Sequence, residues 1–504
     1  MVFLGTDHRR QVAVVGGLTL LGVALRFATL DRQSFWSDEA LTALLARMDF
    51  THMVMTVSET ESTPPVYYVL VWAWAKAFGY GEFGLRSLSA LAGSATVPVT
   101  YLAATTLVGR RAGVAAAGLV AVSPPLLWYS QEARSYALAV LFCAASFAAF
   151  ARALDRPTSR SLALWATASV LAVGTHYFAT FVVGAELIWL VASRRCGAVL
   201  RAAAAVIVGA VALLPLALEQ RGNGFAEYIG TAGGGLVDRV VVLVKQFLVG
   251  PALPADRAVA GVVALLLVAS LVPLATRTST GARRAARVSA TIGGAAIAVP
   301  VALAAVGLDY LNTRNALVGF VPLAVAASSG LTLAAPRALG AVALLMVGCI
   351  LLTVVVAVDP SYHRPDWRGF ARDVGAPAVP RILVVAPDHQ GWFARVPLQI
   401  YMPEARAIDD GFVLALPQFA QVSRRARDHA SPRLVAVREV VVAAVGWELP
   451  TLPRPLPSSF TAVEERVAHG YRFVRYRSEQ AVVLPTATLR APLSAILLEQ
   501  PVLP

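Results

Sequence analysis

Long apolar runs separated by short, arginine-bearing connections fill the first two thirds of the chain. Taking runs of about 15 to 20 apolar residues as long enough to cross a bilayer, the pattern predicts eleven helices, near 11–30, 86–108, 112–129, 136–154, 161–176, 178–193, 202–218, 257–275, 289–307, 315–333 and 338–357. A twelfth candidate, PPVYYVLVWAWAKAFG from Pro64 to Gly79, is short, carries Lys76 and is rich in Trp and Tyr. Those aromatic residues favour the headgroup level, so this run reads as a re-entrant or interfacial helix. From Asp359 onward the pattern changes: Pro, Asp, Glu and His become frequent and no run is long enough to span. There RILVVAP (Arg381 to Pro387), VREVVVAAVGW (Val437 to Trp447) and FVRYR (Phe473 to Arg477) read as strands, and DWRGFARDV (Asp366 to Val374) as a short helix. The expected architecture is a polytopic α-helical membrane domain over 1–357, followed by a small α/β domain over 358–504.

Composition agrees with the pattern: 57 % hydrophobic and 14 % charged residues in 504 exclude an ordinary soluble globular protein of this length. A cleaved leader is the rival reading of the first run, because Arg9-Arg10 precedes it. Val12 to Leu30 is long enough to span, however, and no small-residue cleavage pattern follows. The net charge of +13 would suggest nucleic acid in a soluble chain. Here the arginines sit in short connections, which is an orientation signal rather than a phosphate-binding face. With the Pro64 to Gly79 run kept in the interface, Arg9-Arg10, Arg110-Arg111, Arg152/Arg156/Arg160, Arg194-Arg195/Arg201, Arg277/Arg283/Arg284/Arg287 and Arg337 all fall on one side. That side is taken as the cytoplasm, and the region after Asp359 then lies on the opposite face. Cys143, Cys196 and Cys349 lie in or beside apolar runs without CxxC spacing, so neither a disulfide nor a thiolate metal site is expected. No internal repeat is visible, which argues against solenoids and inverted-repeat transporters.

The outer face gathers the ionisable residues. In SFWSDEA, Asp38 and Glu39 follow the first helix, and Leu41, Leu44, Leu45 and Met48 continue with helical spacing, as in a helix lying on the membrane surface. Asp38 reads either as the N-cap of that helix or as a carboxylate kept ionised to take a proton from a substrate; the two roles are compatible. ESTPPVYY brings Glu61, a rigid Pro-Pro turn, Tyr67 and Tyr68 to the same boundary, as a belt anchor or as a wall for a lipid chain. In SPPLLWYSQEARSYAL, with Tyr129 and Tyr136, the charges of Glu132 and Arg134 interrupt two apolar runs, and an ionisable group at that depth marks a functional site. Arg134 can clamp a phosphate with its planar fork, or form a structural pair with Glu132 or Asp38. Arg86 and Arg314 are further outer-face cations, each also readable as a snorkelling anchor. His176 and Tyr177 in GTHYF can orient a sugar hydroxyl or simply pack; Glu186, inside a run, has no assigned role. No GxxxxGK[ST], GxGxxG at a strand-to-helix turn, HExxH or Cys/His cluster is present. Acids and arginines at a membrane boundary without a nucleotide cradle suit a reaction whose donor is an anionic lipid.

The WxDE after the first helix, PPxYY, FGLRSLSALAG, SPxxxWYSQEARSYAL and THYF, in this order, resemble the GT-C superfamily of membrane glycosyltransferases. The likeness is to bacterial relatives of the protein O-mannosyltransferases and aminoarabinose lipid A transferases. It is strongest over residues 20–190 and weaker at LDYLNTRNALVGFVPLAV. It implies a polyprenyl-phosphate-linked sugar donor, a lipid, glycan or protein acceptor, an extracytoplasmic active site in the bacterial plasma membrane and an inverting transfer. By the resemblance, Asp38 matches the catalytic acid of the first loop, Glu39 is its neighbour, and Arg134 matches an arginine near the donor phosphate. Arg86 and Arg314 would assist Arg134, with Glu61, Tyr67, Tyr68, Tyr129, Glu132, Tyr136, His176 and Tyr177 in the substrate pocket. The chain departs from the family in having Ser-Thr where a His often precedes Pro-Pro. No metal is required, although Asp38 and Glu39 could hold a divalent ion. The rivals are a transporter or lipid flippase, which would place polar groups near the midplane, and a cell-wall-binding protein anchored by its helices.

Overall fold

A computed structural model describes residues 6–222, 235–252, 256–276, 280–331, 336–386, 395–407, 434–446, 449, 452, 454–489 and 495–500. The chain divides into two compact units. One comprises Met1–Leu30, Val57–Gly79 and Phe83–Val358; the other comprises Asp31–Thr56, Tyr80–Glu82 and Asp359–Pro504. In this division Asp31–Thr56, assigned from the pattern to the membrane domain, groups with the region after Asp359.

The first unit is helical, and each predicted apolar run holds helix among the described residues. By length and composition, five helices among the described residues can cross a membrane: Arg10–Phe27, Glu82–Leu107, Tyr136–Asp155, Gly197–Gly222 and Thr280–Ala305. The run at 112–129 is not one straight helix: Arg110–Val122 and Pro124–Ser130 meet at 55°, and count as a sixth span if taken together. Val66–Phe78, the interfacial candidate, and Ala179–Ser193 are shorter apolar helices. The run at 315–333 is subdivided into Thr313–Ala316, a 3-10 turn at Leu317–Gly319, and Phe320–Leu331. Between the runs at 202–218 and 257–275 lies the helix Leu236–Val249; residues 223–234 and 253–255 lie outside the described residues.

Small residues let these helices approach. Thr280–Ala305 packs on the segment around Leu317–Leu331, where a Cβ on Gly293 would fall 2.7 Å from the carbonyl of Gly319. The buried core includes Phe147, Phe150, Trp165 and Val182. Within it Glu186 accepts from Ser146 Oγ at 2.8 Å and Trp165 Nε1 at 2.9 Å, so this acid is a hydrogen-bonded core residue.

The bend at Ser123 has a chemical cause and a partner. Pro124 and Pro125 lack the N–H groups that the carbonyls of Val120 and Ala121 would otherwise receive four residues on. Buried Arg26 supplies them instead, its guanidinium donating to Val120 O at 3.2 Å, Ala121 O at 3.0 Å, Gly22 O at 3.0 Å and Ser130 Oγ at 3.2 Å. Gly93 leaves room for this, since a Cβ there would fall 2.8 Å from Arg26 Nε.

The second unit holds a six-stranded sheet among the described residues. Its strands are β1 (Arg381–Ala386), β2 (Arg406–Ala407), β3 (Leu434–Val445), β4 (Thr461–Ala468), β5 (Tyr471–Pro485) and β6 (Ala495–Glu499), in the order β2-β6-β1-β3-β5-β4. Only the β1–β3 pairing is parallel. Three of these strands were read from the sequence, although Pro387 and Trp447 at their ends lie outside the described residues. Trp367–Val374 is the expected helix, capped by Asp366, whose carboxylate accepts from Gly369 N at 2.9 Å. It packs Trp367 and Phe370 against the sheet face that carries Leu383, Val441 and Phe473.

One row across the sheet alternates in charge: Glu499 on β6, Arg381 on β1, Glu439 on β3 and Arg477 on β5 are successive cross-strand partners. Glu439 is buried and meets Arg475 at 2.8 Å, Arg477 at 2.7 Å and Arg381 at 3.6 Å. Arg381 also binds Glu499. Burial alone would raise the Glu439 pKa, but the hydrogen bond from Arg477 and the charges of Arg475 and Arg381 prevail and hold it below the ordinary glutamate value.

Candidate functional site

In the helical unit four chain segments converge on one polar cluster. Glu61 follows the helix Phe50–Thr60 and precedes the Pro64-Pro65 turn, whose fixed dihedrals start Val66–Phe78. Arg134 lies in the turn between Pro124–Ser130 and Tyr136–Asp155. The two side chains form a bidentate pair, Nη1 to Oε1 at 2.8 Å and Nη2 to Oε2 at 2.9 Å, with side-chain exposures of 7 % and 4 %. The sequence reading considered Glu132 or Asp38 as a structural partner for Arg134; the pair formed is with Glu61, brought close by the Pro-Pro turn. Tyr68 stands over it, its phenol meeting the Glu61 carboxylate and lying 3.2 Å from Thr63 Oγ1.

The third segment carries His176 and Tyr177, and the fourth carries Arg314 and Asn315. His176 stacks near Tyr136, with ring centroids 5.7 Å apart, and the Arg314 guanidinium lies 5.7 Å from the centre of the Tyr136 ring. Tyr129 meets Tyr136 edge-on at 5.4 Å. His176, in the connection between Ser159–Thr175 and Ala179–Ser193, has its pKa lowered to about 3, first by burial and then by the charges of Arg314 and Arg134, against an opposing hydrogen bond with Asn315. The ring is therefore neutral. Its Nδ1 accepts from Phe178 N at 3.2 Å, which leaves the proton on Nε2 and makes His176 a hydrogen-bond donor. Tyr177 joins the cluster indirectly: its hydroxyl donates to Gln220 Oε1 at 2.9 Å, while Gln220 Nε2 donates to the carbonyls of Val57 and Thr63 at 3.1 Å each. Gln220 and Asn315 were not singled out in the sequence, and neutral side chains without a spaced motif give no signal there.

Tyr67 is fully buried and edge-on to Tyr68 at 5.5 Å, and Glu132 is buried as well. Arg86 is not a snorkelling anchor. The helix begins at Glu82, one turn earlier than its apolar pattern suggests, so Arg86 is carried inward, 2 % exposed, and donates to the Leu30 carbonyl at 2.7 Å.

In the second unit, Asp38 and Glu39 occupy the first turn of the helix Ser37–Arg47. Trp36, with extended dihedrals, is its N-cap; Asp38 is not, because the helix starts two residues before the position expected. Glu39, completely buried, reaches back to accept from Trp36 N at 3.4 Å. Arg364 completes the arrangement, its Nη1 lying 3.4 Å from Glu39 Oε2 and its guanidinium 5.2 Å from the Trp36 ring centre. The approach to this helix is held at three successive residues. Arg364 N donates to Gln33 Oε1 at 3.0 Å, Trp367 N to Ser34 Oγ at 3.0 Å, and Phe35 N to the Tyr401 hydroxyl at 2.6 Å. Tyr401 in turn donates to Glu82 at 2.7 Å. The segment carrying both acids is thus positioned by residues more than 300 positions later, which no local motif reveals. Among the described residues no group of three or more His, Cys, Asp and Glu is arranged to hold a metal ion.

This arrangement has the fold of the GT-C membrane glycosyltransferases. ArnT from Cupriavidus metallidurans bound to undecaprenyl phosphate matches over 92 % of this chain and 97 % of its own, at 14 % identity and a TM-score of 0.52. The same protein in the apo state matches over 72 % and 70 %, at 16 % identity and 0.48. The Saccharomyces cerevisiae protein O-mannosyltransferase Pmt1-Pmt2 complex bound to the sugar donor matches over 45 % and 34 %, at 18 % identity and 0.34. The fold likeness rests on the first of these alone. More specifically, residues 62–218, which contain Arg134, His176 and Tyr68, match the family model described as dolichyl-phosphate-mannose-protein mannosyltransferase. No curated protein matches the chain.

Proposed function

We propose that this protein transfers a sugar from a polyprenyl-phosphate donor to an acceptor hydroxyl at the extracytoplasmic face of a bacterial plasma membrane, crossing that membrane eleven times with its N-terminus in the cytoplasm. The observation that carries the reading is the buried cluster in which Arg134, paired with Glu61, and Arg314 surround neutral His176. Two guanidinium groups offer fixed charge for a departing phosphate, His176 lines the pocket beside them, and the tyrosine hydroxyls offer hydrogen bonds to a sugar.

In this scheme an acceptor oxygen attacks the anomeric carbon as the bond to polyprenyl phosphate breaks on the opposite side, so the configuration inverts. The phosphate leaves with the bonding electrons, and its charge is met by Arg134 and Arg314. Asp38 takes the acceptor proton. A carboxylate is a weak base for an alcohol, so this transfer belongs late, when the attacking oxygen has become acidic. Most of the rate enhancement then comes from positioning and from the pre-placed cations. Glu39 is a positioning residue for Asp38 through Arg364 and Trp36. The scheme uses no metal, and a divalent ion shared by Asp38 and Glu39 would have to displace Arg364 from Glu39. Mannose is the sugar the matched family model names; arabinose, aminoarabinose and glucose present comparable hydroxyls.

The test is Asp38→Asn in membranes supplied with radiolabelled lipid-linked sugar. Transfer should fall by roughly 10² to 10⁴, the range for loss of a positioned base. Transfer at the wild-type rate would remove Asp38 from the mechanism, and lipid movement across the bilayer without a glycosidic product would favour a flippase.

A further inference from the structure

The helical unit contains a cavity of about 650 Å³ that the proposed reaction does not use. Its walls are apolar, with Phe247, Leu267, Ile297, Phe320 and Leu323 among them, and Arg283 and Arg287 are its charged lining residues. These arginines are one turn apart near the start of the helix Thr280–Ala305, whose N-terminal dipole adds positive potential. Leu271, on the wall, is 42 % exposed, so the cavity opens sideways from the bundle. Arg283 and Ile297 lie roughly 21 Å apart along the helix at about 1.5 Å per residue. That exceeds one leaflet of hydrocarbon, roughly 15 Å.

We propose that this cavity holds an anionic phospholipid, its phosphate on Arg283 and Arg287 and an acyl chain along the wall toward Ile297. An apolar space of this volume is not stable as a water-filled one, and left empty it would forgo packing on every side. A charged mouth with a long apolar interior and a lateral opening fits an amphiphile of the surrounding bilayer, and basic pockets between membrane helices on the arginine-rich side bind such headgroups. The sugar donor is a different molecule in a different place: its phosphate is assigned to Arg134 and Arg314, and Arg314 follows the other end of this same helix.

The experiment reads lipid retention and is independent of sugar transfer. The full chain is reconstituted in nanodiscs of equal phosphatidylglycerol and phosphatidylcholine, and retained lipid is identified by native mass spectrometry. Wild type should retain phosphatidylglycerol in preference. Losing both arginines in R283Q/R287Q should lower that preference about 25-fold, at roughly fivefold per arginine. Ala290→Trp, which narrows the cavity while leaving both charges, should lower retention of either lipid, whereas Arg284→Gln, outside the lining, should change nothing. Retention within twofold of wild type in both R283Q/R287Q and Ala290→Trp overturns the proposal. Selective retention of added undecaprenyl phosphate with the same dependence on Arg283 and Arg287 overturns it in favour of the donor lipid.

Discussion

Removing Glu61 should harm this protein more than removing Glu61 and Arg134 together. The pair is bidentate, at 2.8 and 2.9 Å, and both side chains are nearly inaccessible. Glu61→Leu leaves a guanidinium desolvated beside Arg314 and His176, and breaking a buried pair from one side costs about 3–5 kcal/mol. Arg134→Leu leaves the carboxylate in the same position and should cost a similar amount. The double variant removes both charges, and apolar replacement of a complete buried pair ranges from neutral to about 1–4 kcal/mol stabilising. A double-mutant cycle on unfolding free energy in mixed micelles should therefore show a coupling of at least about 6 kcal/mol, far above the scatter of independent sites. Activity separates the roles. The double variant should fold yet transfer little sugar, because Arg134 is assigned to the leaving phosphate. Additive single effects, or a double variant less stable than either single one, would refute the claim that the pair is desolvated.

Arg26→Met orphans the carbonyls of Val120 and Ala121, at about 1–3 kcal/mol each. With exposed Cys196 and half-buried Cys349 replaced by Ser, labelling of buried Cys143 by a thiol-reactive dye should begin at lower temperature, and an unchanged onset would contradict the role given to Arg26. Glu439→Gln should destabilise the C-terminal unit by about 3 kcal/mol, the low end for a broken buried pair, because Arg477 is half exposed. Since the Glu439 pKa is depressed, its stabilisation is complete above the unfolded value of about 4.3 and disappears as pH falls through the lower folded value. Wild type, but not Glu439→Gln, should lose this increment in acid. For His176, whose folded pKa is about 3, the unfolded chain binds a proton below about 6.5 and the folded one does not. Stability should therefore decline from pH 6.5 toward 3, and a labelled His176 ring should show no titration step between pH 5 and 8.

The helices were legible because bilayer-length apolar runs leave little choice; Arg134 stood out as a charge interrupting such runs, and Glu61, His176 and Arg314 as polar residues at their outer ends. Their partnerships were not legible. Arg134 and Glu61 are 73 positions apart, and only the packed bundle sets them face to face. Arg26 lay inside a run read as purely apolar, and its reason for being there is a pair of prolines almost a hundred residues later. Strands β2, β4 and β6 escaped notice because β4 is exposed along most of its length at the sheet edge, with three charges interrupting its apolar residues, and β2 and β6 are short. Trp36 displaced Asp38 as the cap because its extended backbone lets Glu39 fold back, a geometry that residue preferences for caps do not forecast.

The grip of Gln33, Ser34 and Phe35 by residues near 364–367 and 401 also sets an order of events during synthesis. The segment bearing Asp38 leaves the ribosome about 300 residues before its holders do, an interval of roughly 15–60 s at about 5–20 residues per second. Until then the segment lacks these three holding contacts, so a nascent chain that has finished threading its helices still has an acid-bearing loop without that grip. A truncated product ending near Val358 would share that condition permanently.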